Sequence, residues 1–208
     1  MIAFAWAIAL AADAPFVVRS APLSDADRAA MTPSAWRPGC PVGLDELVKM
    51  EIGHWLPDGS TAVGILVVHR DMAVATETAF RALWDQRFPI ASMRPIETFA
   101  GNDDASMVAN NTSAFNCRPK TGVPGSWSTH ASGRAIDVNP LWNPFVRPGH
   151  PPRVSPAAGG PFADRTQPQP GMMRPDEPAV RAFKDAGWRW GGDWRSAKDW
   201  QHFSADGT

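Results

Sequence analysis

The stretch WSTHASGRAID, residues 127–137, sets His130 and Asp137 seven positions apart with Gly133 between them, and KDWQHFS places Asp199 three positions before His202. Two imidazoles and a carboxylate form the donor set of a catalytic zinc, which takes three protein N/O ligands and keeps a fourth position for water. His130, Asp137 and His202 supply that set. Asp199 is then free to take a proton from the activated water as general base. Gly133 argues against one continuous helix from His130 to Asp137. It favours a turn that swings the histidine back towards a strand carrying the aspartate. Spacing alone leaves the blander reading open, because histidines that bind nothing outnumber ligands. His54 and His69 lie in strand-like runs and read as packing or surface residues, and His150, between Gly149 and Pro151, reads as exposed. Asp193 is a rival carboxylate, but GGD reads as a turn, which makes it structural. Ser128 can hydrogen-bond a substrate or cap its local turn. It lacks the G-x-S-x-G context of a serine nucleophile.

These residues also carry a resemblance. The pattern SxHxxGxAxD, here Ser128, His130, Gly133, Ala135 and Asp137, is followed much later by DWQHF. It resembles the zinc D-alanyl-D-alanine carboxypeptidases, a family that includes VanY-like enzymes, D-Ala-D-Ala dipeptidases and L-alanyl-D-glutamate endopeptidases. NNTSAFNCR upstream and GWRWGGDW downstream look like the endopeptidase branch, and the likeness runs from about Cys40 to Phe203. It implies zinc on His130, Asp137 and His202, with Asp199 as the catalytic carboxylate, where several members carry the longer Glu. It implies that Arg118 touches the substrate and stabilises charge on the scissile carbonyl oxygen. The implied fold is Hedgehog/DD-peptidase-like, and the implied partners are peptidoglycan stem peptides containing D-amino acids. A non-catalytic wall-peptide-binding module on the same fold is the alternative. It predicts a broken site, whereas every expected position here holds usable chemistry.

Elements must position these groups. TAVGILVVH is a β-branched run preceded by the turn PDGS, and it pairs with LDELVKMEIGHWL as a hairpin. DMAVATETAFRALWDQRF has apolar residues at helical spacing, with Asp71 at its expected N-cap. PIASMRPIETF reads as a strand with Pro95 at an edge or bulge. Residues 101–140 form a polar loop interrupted by aromatics, then AIDVNP is a short strand. Residues 143–172 are an irregular Pro/Gly-rich excursion. RPDEPAVRAFKDAGW is a helix stopped at Gly187, WRWGGDW a turn, and KDWQHFS a last strand. Strands and helices do not alternate regularly, so the fold class is α+β: a small, mostly antiparallel sheet with flanking helices in one domain.

Bulk composition narrows the partners. With Lys+Arg 20 against Asp+Glu 21 and no long basic run, there is no electrostatic footprint for nucleic acid. Residues 1–14, MIAFAWAIALAADA, form a short apolar run ending in small residues and read as a signal peptide, too short to span a bilayer. Residues 15–39 read as an extended leader and 40–208 as the peptidase domain. An exported protein with only Cys40 and Cys117 pairs them as one disulfide, whereas two buried thiols would suit a reducing compartment.

Overall fold

The computed structural model describes residues 15–120 and 123–208. The segment expected to be a signal peptide, residues 1–14, lies outside them. Residues 15–39, expected as an extended leader, hold regular structure. They contain β1 (Val18–Pro22) and the short helix α1 (Asp25–Met31), which starts with a Ser24–Asp27 capping box. Local polarity had masked β1, whose side chains are mostly exposed because its role is to cover an edge.

The expected hairpin forms from β2 (Leu47–Trp55) and β3 (Thr61–His69), with β1 antiparallel on the outer side of β2. Met50 and Ile52 point into the core while Lys49 and Glu51 point out, the two-residue alternation of a half-buried strand. The helix α2 (Ala73–Asp85) packs across this sheet through Ala79, Phe80, Leu83 and Trp84. Asp71 does not cap it. A 3-10 turn, Arg70–Met72, precedes the helix, and the His69 ring accepts from the Asp71 amide instead.

Beyond α2 the pieces shorten. PIASMRPIETF yields only β4 (Ser92–Met93), followed by a 3-10 turn at Ile96–Phe99. The polar loop holds α3 (Asp103–Val108) and β5 (Asn111–Thr112), which pairs parallel with β4, and then β6 (Ala135–Asp137). The excursion expected to be irregular contains a second hairpin, β7 (Phe145–Arg147) and β8 (Arg153–Ser155). Three-residue strands flanked by prolines leave too short a pattern for periodicity to reveal. The helix α4 (Pro178–Asp185) forms as expected, and Gly187 takes φ +97 just beyond its end. β9 (Arg189–Trp190) follows it. KDWQHFS divides into β10 (Lys198–Asp199) and β11 (His202–Ser204).

The remaining sheets run β6-β11-β9 and β10-β7-β8, all antiparallel, in one α+β domain. The two ends of the fold meet at Phe183 of α4. It stacks on Phe203 of β11 at 4.1 Å and meets Phe80 of α2 edge-on at 5.7 Å. A smaller apolar cluster, including Leu23, Met31, Leu47 and Phe115, surrounds the Cys40–Cys117 disulfide, whose Cα atoms lie 5.9 Å apart.

Candidate metal centre

Alternation along two short strands builds the site. In register, Phe203 opposes Ile136 and His202 opposes Asp137. Phe203 and Ile136 are fully buried in the core. Because neighbouring residues of a strand point to opposite faces, His202 and Asp137 must emerge together on the other side. Slipping the pairing by one residue would expel two core side chains, each worth about 1.5–3 kcal/mol of burial. Apolar packing therefore sets where the polar pair points.

His130 arrives from a 3-10 turn, Thr129–Ser132, which Ser128 caps by accepting from the His130 amide. Gly133 ends that turn in the left-handed region at φ +68. A β carbon there would lie 2.6 Å from the His69 amide nitrogen and 2.9 Å from Leu47 Cδ2, while the Gly133 carbonyl accepts from that same amide at 2.8 Å. Only glycine gives both the backbone conformation and the close approach. The turn is thereby clamped to the end of β3, and the chain reverses directly into β6.

The structure brings His130, Asp137 and His202 together, with one potential ligand atom from each lying within 4.8 Å of the others, all buried. His130 Nε2 is 3.2 Å from Asp137 Oδ2, His202 Nδ1 is 3.0 Å from Asp137 Oδ1, and the two ring nitrogens are 3.2 Å apart. The outer nitrogens have other partners. His130 Nδ1 donates to the Ala114 carbonyl at 2.6 Å, and His202 Nε2 donates to the main-chain oxygen of Thr208 at 3.2 Å. With both protons on the outer nitrogens, two lone pairs and a carboxylate converge on one point, an arrangement that only a cation or a trapped proton relieves. These residues fit a divalent metal with N/O preference.

Charges shift accordingly. Burial alone would raise the Asp137 carboxyl, but His130 and His202 outweigh it and hold the group well below the ordinary carboxylate range. Burial opposes charge on His202 too, yet the hydrogen bond that its charged ring donates to Asp137 and the two nearby carboxylates raise it above an ordinary imidazole. Asp199 behaves differently. Burial, with the charge of Asp137 added and that of His202 opposing, pushes its carboxyl up to about 6. Its Oδ1 is sealed from solvent and meets no hydrogen-bond partner.

Asp199 and His202 are held close through Gly191. A β carbon at Gly191 would fall 2.7 Å from Asp199 Cβ and 3.3 Å from His202 Cβ. Sequence reading treated this glycine as part of a plain turn. Its bareness lets the 3-10 turn Gly191–Asp193 press against both Asp199 and His202. Ala114 and Thr208 were also missed, since a main-chain acceptor leaves no trace in residue type. Thr208 is further tied down by Thr129 Oγ1 at 2.8 Å.

His130, Asp137, Asp199, His202 and Thr208 open on a cleft of about 720 Å³, lined also by Arg118, Ser128, Phe145 and Trp194. That volume suits a peptide-sized ligand. Arg118 stands on the rim, its Nε 3.1 Å from Asp103 Oδ2, next to disulfide-bonded Cys117. Asp193 is paired with Lys184 at 2.7 Å on the surface, away from the cleft. His54 and His69 are both buried, and neither joins the cluster; His69 lies among Glu46, Asp71 and Arg134. His150 is exposed.

Residues 121–205 match the model of a family described as D-alanyl-D-alanine carboxypeptidase. The match contains His130, Asp137, Asp199 and His202, and Arg118 stands three residues before it. It is narrower than the likeness read from Cys40 to Phe203. No curated protein and no solved structure matches the chain.

Proposed function

We propose that the chain is a zinc-dependent peptidase that hydrolyses D-amino-acid-containing stem peptides of bacterial peptidoglycan, as a D-Ala-D-Ala carboxypeptidase or an L-Ala-D-Glu endopeptidase. One observation carries this reading: a buried His–Asp–His donor set lies beside Asp199, one of whose carboxylate oxygens is sealed from solvent without a hydrogen-bond partner, in the lining of a peptide-sized cleft. The match of residues 121–205 to a D-alanyl-D-alanine carboxypeptidase model supports the substrate class, and the disulfide suits an exported protein working at the wall.

His130, Asp137 and His202 would hold the zinc, which supplies a Lewis acid that polarises a carbonyl and acidifies water. Asp199 takes the proton of the attacking water as the new C–O bond forms. A carboxyl that burial raises above its ordinary range is basic enough to accept that proton and acidic enough to pass it to the leaving amine. Arg118 turns its guanidinium from Asp103 to the carbonyl oxygen and balances the charge that gathers there. The C–N bond then breaks, leaving a carboxylate and an amine. Ser128 keeps its capping bond to the His130 turn, and its place in the cleft wall also offers a hydroxyl to substrate.

Mass spectrometry of products from purified stem peptides tests the reading and identifies the bond. Chelation abolishes cleavage and zinc restores it. Asp199→Asn retains zinc and loses turnover by at least about a hundredfold, the scale of a lost general base. Because Asp199 must be ionised to accept a proton, kcat/KM falls as pH drops through about 6 or lower, since a bound cation draws the carboxyl down. Full activity of zinc-loaded Asp199→Asn would remove the proposed base. An inactive zinc protein that binds stem peptide would instead favour the wall-binding module.

A further inference from the structure

The second hairpin does more than cover the domain. In the β10-β7-β8 sheet, Asp199 opposes Phe145, which opposes Ser155, and one step along Arg147 opposes Arg153 two positions further. Registered partners and residues two apart share a face. Asp199, Phe145, Ser155, Arg147 and Arg153 therefore occupy one face of this sheet, and all five line the cleft. Val146 and Lys198 belong to the other face, where Lys198 donates to the Gly192 carbonyl.

Like charges directly opposite one another in a sheet are destabilising. A pair of arginines in this position calls for a compensating anion. Among the described residues neither guanidinium has a carboxylate partner: Arg147 lies 5.6 Å over the ring of Phe145, and no ion pair involves Arg153. Besides Asp137 and Asp199, the carboxylates lining the cleft are Asp103, engaged by Arg118 and Asn116, and Asp104, and neither is paired with Arg147 or Arg153. Strand spacing puts the Cα atoms of Arg147 and Arg153 roughly 8 and 12 Å from that of Asp199. At about 3.5 Å per extended residue, this reaches two or three residues along a bound peptide.

We infer that Arg147 and Arg153 form a carboxylate-binding subsite that selects anionic peptides and sets their position relative to Asp199. The inference rests on the peptidase reading for its substrate class and names what that substrate must carry. A planar guanidinium fork grips a carboxylate in two-point fashion, and two such forks enclose one group from both sides. The carboxylate can be the terminal one of the peptide or the free branch carboxylate of an isoglutamyl residue. The chemistry is shared, and the test separates the two.

Three forms of one stem peptide serve as probes: fully acidic, amidated at the C-terminus, and amidated at the branch. Binding to the zinc-loaded full chain is read by tryptophan fluorescence, since Trp194 lines the cleft, and cleavage by mass spectrometry. The wild type binds the acidic form about ten- to a hundredfold more tightly than whichever amide removes the recognised group. In Arg147→Gln/Arg153→Gln that ratio falls towards one, and Arg147→Lys/Arg153→Lys restores part of it. Both arginines are exposed, so melting temperature checks folding, and the single Arg153→Gln serves should the double variant fold poorly. Equal wild-type binding of all three forms, or a preference that survives in the glutamine variant, overturns the subsite. Arginine-dependent binding without cleavage would leave the subsite standing and remove the peptidase reading. Cleavage without arginine dependence does the reverse.

Discussion

Two regions of this molecule are held together by different physics. The β1-β2-β3 sheet with α2 and α4 relies on continuous backbone ladders and on apolar side chains such as Ile52, Phe80 and Phe183. The region from Asn110 to Met173, which carries much of the site, has strands of two or three residues. There, buried amide side chains replace the ladder. Asn143 donates to the Val138 and Gly171 carbonyls and accepts from Arg165 and the Met173 amide. Asn139 donates to the Pro89 and Gly171 carbonyls and accepts from the Ala91 amide. Asn110 accepts from the amides of Leu141 and Trp142. An irregular chain can thus be fixed as firmly as a sheet, provided that its buried polar groups find partners. Irregularity is what lets His130, Asp137, Arg118 and the Arg147–Arg153 pair face one cleft.

The largest way to break the contrast is the covalent one. Cys40 and Cys117 are 77 residues apart and tie the α1 region to the strand-poor segment beside Arg118. Cys40→Ala/Cys117→Ala should cost about 4 kcal/mol by unfolded-state chain entropy, read by denaturant melts under non-reducing conditions. Asn143→Ala comes next. It orphans several buried groups at about 1–3 kcal/mol each, so the net loss should be about 3 kcal/mol. Hydrogen exchange sharpens the comparison: amides around residues 138–173 should exchange faster while those of β2 and β3 stay protected. Uniform loss of protection would show that the two regions are one cooperative unit. The smallest effect belongs to the scaffold surface. Lys49 and Ser24 hold the Asp27 carboxyl below its ordinary value of 3.8. A depressed carboxyl contributes stability that is present above the unfolded pKa and lost as pH falls through the folded one. Asp27→Asn should lower stability at pH 6 by less than about 1 kcal/mol, read as a small fall in Tm, and leave it almost unchanged near pH 2.

Legibility follows the same division. The β2–β3 hairpin, α2 and α4 were readable because each is long enough to show its period, and Gly187 marked a real stop. Gly133 was readable as a turn because of its place between two functional residues. β1, β7 and β8 were not, since three to five residues of mixed polarity carry no period, and their partners are distant in sequence. The cluster of His130, Asp137 and His202 was drawn from residue types and motif order, and the coordinates bring the three within reach of one ion. The carbonyls of Ala114 and Thr208 that orient the imidazoles, and the pressure of Gly191 on Asp199, belong to backbone placement that no residue name records.

The ladder between β7 and β10 has one more consequence. It joins the arginine-bearing hairpin and Asp199 in a single hydrogen-bonded sheet. Under the proposed function, a peptide held at one end of that sheet would bear on the strand that sets the reach of Asp199, a side chain one carbon shorter than glutamate.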